Sequence, residues 1–97
     1  MDKENIDLTI TAEQMDNMKH CIGFDPKRVK RGKYEAYRNR FITSGDDLEW
    51  DDLVSRGLAE KKPFKFGCGE NPQLYYLSEE GVKFLGDLLG VKITEMN

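Results

Sequence analysis

The chain has 97 residues, 38% hydrophobic and 34% charged, with a formal net charge of −3. That length supports one core, burying roughly two-thirds of the unfolded surface, and leaves no room for a deep catalytic cavity. No apolar run approaches the roughly 20 residues of a membrane span, and "MDKENIDL" lacks the apolar region of a signal peptide, so a cytoplasmic protein without membrane partners is expected.

Residues 1–10 read as a flexible or edge-strand segment, because Ile6, Leu8 and Ile10 alternate behind a polar start, and residues 11–97 read as a single domain. "TAEQ" predicts a reciprocal helix cap between Thr11 and Gln14. Met15, Met18 and Ile22 follow at helical spacing, with Cys21 alongside, and Gly23 is a left-handed stop with Phe24 folding back. "DPKRVKRGK" predicts a turn or one helical turn in a solvated loop. In "YEAYRNRFI", Tyr34, Tyr37 and Phe41 lie three and four apart, which fits a short helix with an aromatic face or an irregular segment docked by its rings.

Ser44 is expected to cap the next helix, with Asp46 and Asp47 in its first turn and Trp50, Leu53 and Val54 as its buried stripe, and Gly57 stops it. "AEKKPFKF" and "QLYYLS" predict a hairpin with "GCGENP" as its tip and Pro63 on an edge strand. Ser78 caps the last helix, whose apolar face is Val82, Leu85, Leu88 and Leu89, and Gly90 ends it. The expected architecture is a small α+β domain of three to four helices with a β-hairpin in its C-terminal half.

Charge is sorted along the chain. Residues 27 to 40 carry Lys27, Arg28, Lys30, Arg31, Lys33, Arg38 and Arg40 against Glu35, a net +6, whereas Asp46, Asp47, Glu49, Asp51 and Asp52 give residues 46 to 52 a net −5. The basic stretch is the stronger functional signal. Its cations neutralise phosphates, Tyr34 or Tyr37 could stack on bases, and Asn39 could read a base edge or fix a turn. Lys61, Lys62 and Lys65 of the hairpin are candidate assistants. The bland alternative is a solvated loop that balances the acidic helix. That helix is in turn either a solvated face or, as the alternative binding site, a docking surface for a basic protein. Zinc is not expected from one His and two cysteines without a CxxC pair, and Cys21 and Cys68 read as reduced thiols. His20 has no evident nucleophile partner, so no catalysis, cofactor or small-molecule substrate is expected.

"LVSRGLAEK", a hairpin and "YYLSEEGVKFL" together resemble the wing region of winged-helix proteins, including the multiple-antibiotic-resistance repressors, over residues 48 to 85. "MKHCIGFD", "YRNRF", "LVSRGLAEK" and "YYLSEEG" in this order are similar to short phage and prophage proteins of unassigned function. The resemblance implies a winged-helix-like domain and a mobile-element accessory role, and it supplies no catalytic residues. One departure matters. The helix that would read the major groove carries five carboxylates against Arg56, and carboxylates repel phosphate, so groove reading by that helix is not expected.

Overall fold

The computed structural model describes residues 9–64 and 71–95. Helix α1 (Ala12–Ile22) begins at the anticipated reciprocal cap, with the Gln14 amide donating to the Thr11 hydroxyl at 3.0 Å and the Thr11 amide to the Gln14 side chain at 2.9 Å. Gly23 ends it in the left-handed region (φ +67°), and the Phe24 amide closes the turn on the Lys19 carbonyl at 2.9 Å. Ile10 packs against the core at the start of the described chain, whereas Ile6 and Leu8 lie outside the described residues.

Asp25 caps a single 3₁₀ turn, Pro26–Arg28. Lys30 and Lys33 then exchange both backbone hydrogen bonds around Arg31 and Gly32, whose φ values of 55° and 76° give the tight turn of a two-residue hairpin. Strands β1 (Lys33–Ala36) and β2 (Phe41–Thr43) occupy the stretch whose aromatic spacing also fitted a helix, so that helix is not formed. Along β1 the burial alternates with a period of two, and Tyr34 and Ala36 turn inward.

Helix α2 (Leu48–Ser55) is capped by Asp47 and not by Ser44. The Asp47 side chain accepts from the Glu49 and Trp50 amides at 3.0 and 3.1 Å, and its own amide donates to the Tyr75 hydroxyl at 3.0 Å. Trp50 and Leu53 are buried, Val54 packs at the core margin, and the Leu58 amide closes the helix end on the Leu53 carbonyl at 2.9 Å. Strands β3 (Ala59–Pro63) and β4 (Gln73–Leu77) form the expected hairpin. Its connection over residues 65–70, which includes Lys65, Cys68 and most of "GCGENP", lies outside the described residues.

The antiparallel sheet runs β2-β4-β3, with Phe41 opposite Tyr75 and Ala59 opposite Leu77. Pro63 sits on edge strand β3, where a missing amide does not interrupt a central ladder. Helix α3 (Glu79–Leu89) starts at Ser78, whose hydroxyl accepts from the Gly81 amide at 3.0 Å, and ends at Gly90. Val82 and Leu85 face inward, whereas Leu88, expected on that face, is 44% exposed. A strand not anticipated from the sequence follows: β5 (Lys92–Glu95) pairs in parallel with β1, Lys33 opposite Lys92.

The result is a small α+β domain, with three helices and two small sheets among the described residues. Trp50 lies between the rings of Phe41 and Tyr75, with centroids 5.3 and 5.4 Å away, in one buried cluster with Met18, Cys21, Leu53 and Leu85. No described helix is long and apolar enough to cross a membrane.

Candidate functional site

The carboxylates of α2 and its approach are turned to internal tasks. Asp47 caps the helix, and Glu49 accepts from the Thr11 hydroxyl at 3.2 Å. Asp52 accepts from the Gln14 side chain at 2.8 Å and pairs with Arg56 at 3.3 Å. Asp46 and Asp51 share Lys61 of β3, each at 3.0 Å, and the buried Tyr75 donates its hydroxyl to Asp51 at 2.8 Å. All five therefore tie α2 to α1, to its own end or to the hairpin. Leu48 alone presents an apolar side chain there, 84% exposed, and a single exposed leucine is ordinary.

Burial by itself would raise the Asp51 carboxyl, but the hydrogen bonds from Tyr75 and Lys61 outweigh it and hold the group below the usual carboxylate range. Lys61 is raised above its ordinary value, first by the bond to Asp46 and then by the bond to Asp51. A lowered acid stabilises the fold above its unfolded value and loses that contribution as pH falls through its folded value. A raised base stabilises below its unfolded value and loses that contribution as pH rises through its folded one. The clasp is thus complete between about pH 4 and 10. Lys61→Met is expected to lower the melting temperature at pH 7, and the gap to the unsubstituted protein should narrow below about pH 4 as Asp51 takes up a proton. A gap that stays constant from acid to neutral pH would show that Lys61 acts by packing alone.

The clasp also removes Lys61 from the set of cations open to a partner. Lys62 lies over the Tyr76 ring at 5.9 Å on the same strand, at the sheet edge opposite β2. Lys61 and Lys62 share neither a strand nor a sheet edge with the described basic segment.

The basic segment forms a ridge. Lys27 and Arg28 lie on the 3₁₀ turn, Lys30 and Arg31 on the tight turn, and Lys33 at the start of β1; all five are exposed. The Arg28 guanidinium lies 5.4 Å from the Tyr37 ring centroid, and the Arg38 guanidinium lies at the same distance from the same ring. Arg38 donates to the His20 carbonyl at 2.7 Å, which fixes it against the end of α1. Among the described residues none of the seven cations of this segment makes an ion pair. Two depressions meet at His20 and Arg38. One, of about 440 Å³, also touches Lys19, Gly23, Phe24 and Tyr37; the other, of about 140 Å³, touches Arg40, Phe41 and Ile42. Among the described residues no carboxylate lines either of them. Lys19 and His20 thus join the ridge from the last turn of α1, a neighbourhood that no spacing in the sequence signals.

Two of the anticipated contact residues are placed otherwise. Tyr34 is 1% exposed and donates its hydroxyl to the Gly23 carbonyl, so its ring is closed to any base. Asn39 takes the role of a turn-fixing residue. Its carboxamide donates to the Leu77 carbonyl at 3.0 Å and accepts from the Leu77 amide at 2.9 Å, imitating a strand partner for β4. The Cys21 thiol also meets it at 3.2 Å. Burial pushes that thiol up to about 12, partly opposed by the Leu77 backbone and by Arg38, so Cys21 stays a protonated core residue at neutral pH.

His20 is exposed, with its ring edge-on to Phe41 at 5.5 Å. Among the described residues no group of three or more His, Cys, Asp or Glu is placed to hold a metal ion. A depression of about 740 Å³ between α3 and β5 is lined by Val82, Gly86, Val91 and Ile93 and, among the described residues, by no histidine, cysteine or hydroxyl side chain. No family model, no curated protein and no solved structure matches the chain.

Proposed function

We propose that the domain is a non-enzymatic, winged-helix-like accessory module that contacts nucleic acid electrostatically through the ridge formed by residues 27–40. The observation that carries this reading is the absence of ion pairs on all seven of its cations among the described residues, set against an acidic helix whose five carboxylates are engaged by their own neighbours. The sheet order β2-β4-β3, with α2 leading into the β3-β4 hairpin, supports the winged-helix-like description. Where a helix-turn-helix would place its first helix, the chain instead runs through β1 and β2, which argues against a groove-reading helix pair.

Arg31 adds a second, independent support. It holds a positive φ of 55° in a turn position that glycine or asparagine occupies at lower cost, so a cation is kept there against local preference. Arg31→Gly should therefore weaken binding while leaving the melting temperature unchanged or raised. The measurement is fluorescence anisotropy of labelled oligonucleotides titrated across salt. If about five cations engage phosphate, the log–log slope approaches roughly −3.5 on single strands and −4.5 on duplex, and each contact removed makes it shallower by about 0.7 to 0.9. A slope near zero, or no binding at low salt, would remove the proposal.

A further inference from the structure

We infer that the ridge takes single-stranded nucleic acid with little sequence preference, seating one base on Tyr37 and the flanking phosphates on Arg28, Arg38 and Arg40. This rests on the reading above and narrows it to a class of ligand. Of the tyrosines in the basic segment, Tyr37 is the one that reaches solvent: it is 48% exposed beneath two arginine side chains, whereas Tyr34 is buried. Phe41 is half-buried, held between the rings of His20 and Trp50.

The ring is also braced. A Cβ at Gly23 would lie 2.6 Å from three atoms of Tyr37, so the tyrosine rests directly on the glycine backbone and occupies the space a side chain would need. A platform held in this way loses little freedom when a base settles on it, which raises the return on stacking. Both guanidinium groups lie over the Tyr37 ring at 5.4 Å, one from the 3₁₀ turn and one from the approach to β2, so a base that stacks there exchanges a cation–π contact for stacking while the displaced arginine turns to the flanking phosphate. Among the described residues no carboxylate lines the depressions that continue past Arg38 toward Arg40 and Ile42, which suits the passage of a phosphodiester chain.

The choice of a single strand follows from what each form exposes. In a duplex the base faces are stacked inside, and only edges and phosphates are reachable, so an open ring has nothing to stack on. Edge readout is also poorly supplied. Asn39, the natural reader of a base edge in this segment, is held by both backbone groups of Leu77. Stacking and charge remain, and both tolerate any sequence.

The test uses the full chain and three probes: a labelled oligothymidylate of about a dozen nucleotides, a labelled duplex of equal length, and polyglutamate as a competitor without bases. Expected results are tighter binding of the single strand than of the duplex, and a loss of about 5- to 150-fold in single-strand affinity for Tyr37→Ala. Tyr37→Trp, which keeps a ring, should retain binding and so separates stacking from a change in fold. If both nucleic acids bind equally and Tyr37→Ala changes neither, the platform is refuted while the electrostatic module stands. If neither binds, both readings fall. If polyglutamate displaces the oligonucleotide at equal charge concentration and Tyr37→Ala has no effect on either, the ridge is a site for acidic protein and the inference is overturned.

Discussion

Gly81→Ala is expected to lower the unfolding free energy by about 3 kcal/mol, against a local preference of about 1 kcal/mol in the opposite direction. In an isolated helix alanine is the better residue. Here a Cβ at position 81 would lie 1.8 Å from the Leu58 carbonyl oxygen and 2.9 Å from its carbon. Neither partner can yield easily. The Leu58 carbonyl accepts the Ser78 amide at 3.1 Å, and the Ser78 hydroxyl donates to the Gly57 carbonyl at 2.7 Å while capping Gly81 itself. Moving α3 away therefore breaks the seam that joins it to the start of β3. Urea denaturation is the measurement, with Gly45→Ala as the control, since a Cβ at position 45 meets nothing within 4 Å. The control's unfolding free energy should stay within about 0.5 kcal/mol of the parent's. If both variants behave alike, α3 does not sit on Leu58 as described.

Asn39→Ala should cost about 2 to 4 kcal/mol, because it strands two buried backbone groups at once. Leu77 is 3% exposed, and its amide and carbonyl both depend on the Asn39 carboxamide at the end of β4. Alanine leaves both without their partner in a site closed to solvent. Asn39→Asp keeps an acceptor for the amide and loses the donor to the carbonyl, so its cost should fall between the parent and the alanine variant. Amide hydrogen exchange at Leu77 reports the same event locally, and it should accelerate in Asn39→Ala by more than the global loss of stability accounts for. An unchanged melting temperature in Asn39→Ala would show that the side chain is not a staple.

These two expectations show where the sequence was readable. Caps and stops are short-range: Thr11 with Gln14, Gly23 with Phe24, and Ser78 with Gly90 each involve residues within one helix, and they appear where the spacing places them. At the start of α2 the local pattern puts Ser44 at the cap and Asp47 inside the first turn, and the helix begins later than that. The choice of Asp47 is made by Tyr75, whose hydroxyl receives the Asp47 amide from another element. The stretch from Tyr34 to Phe41 has a spacing that suits a helix, yet β5 supplies a parallel partner from far along the chain, and pairing overrides local periodicity.

The site was legible as charge but not as geometry. Counting residues finds the basic segment and the acidic helix, because like charges are consecutive. It cannot find that Lys61 reaches back to Asp46 and Asp51, that Gln14 and Thr11 engage the carboxylates of α2, or that Lys19 and His20 stand beside Arg38. It also groups Tyr34 with Tyr37 as equals. The pleat of β1 separates them, turning one ring into the core and leaving the next aromatic, beyond the strand, at the surface.

The parallel pairing of β1 with β5 has a practical corollary for anyone handling this protein. The two strands form a sheet of their own, and the Lys92 amide anchors the Gly32 carbonyl at 2.8 Å, directly at the tight turn. Residues 92–95 are thus the splint for Lys30, Arg31 and Lys33, although they are the most distant described part of the chain. Affinity handles and fluorophores belong ahead of residue 9, because a bulky attachment crowding residues 92–95 would loosen the cationic turn and mimic a binding defect.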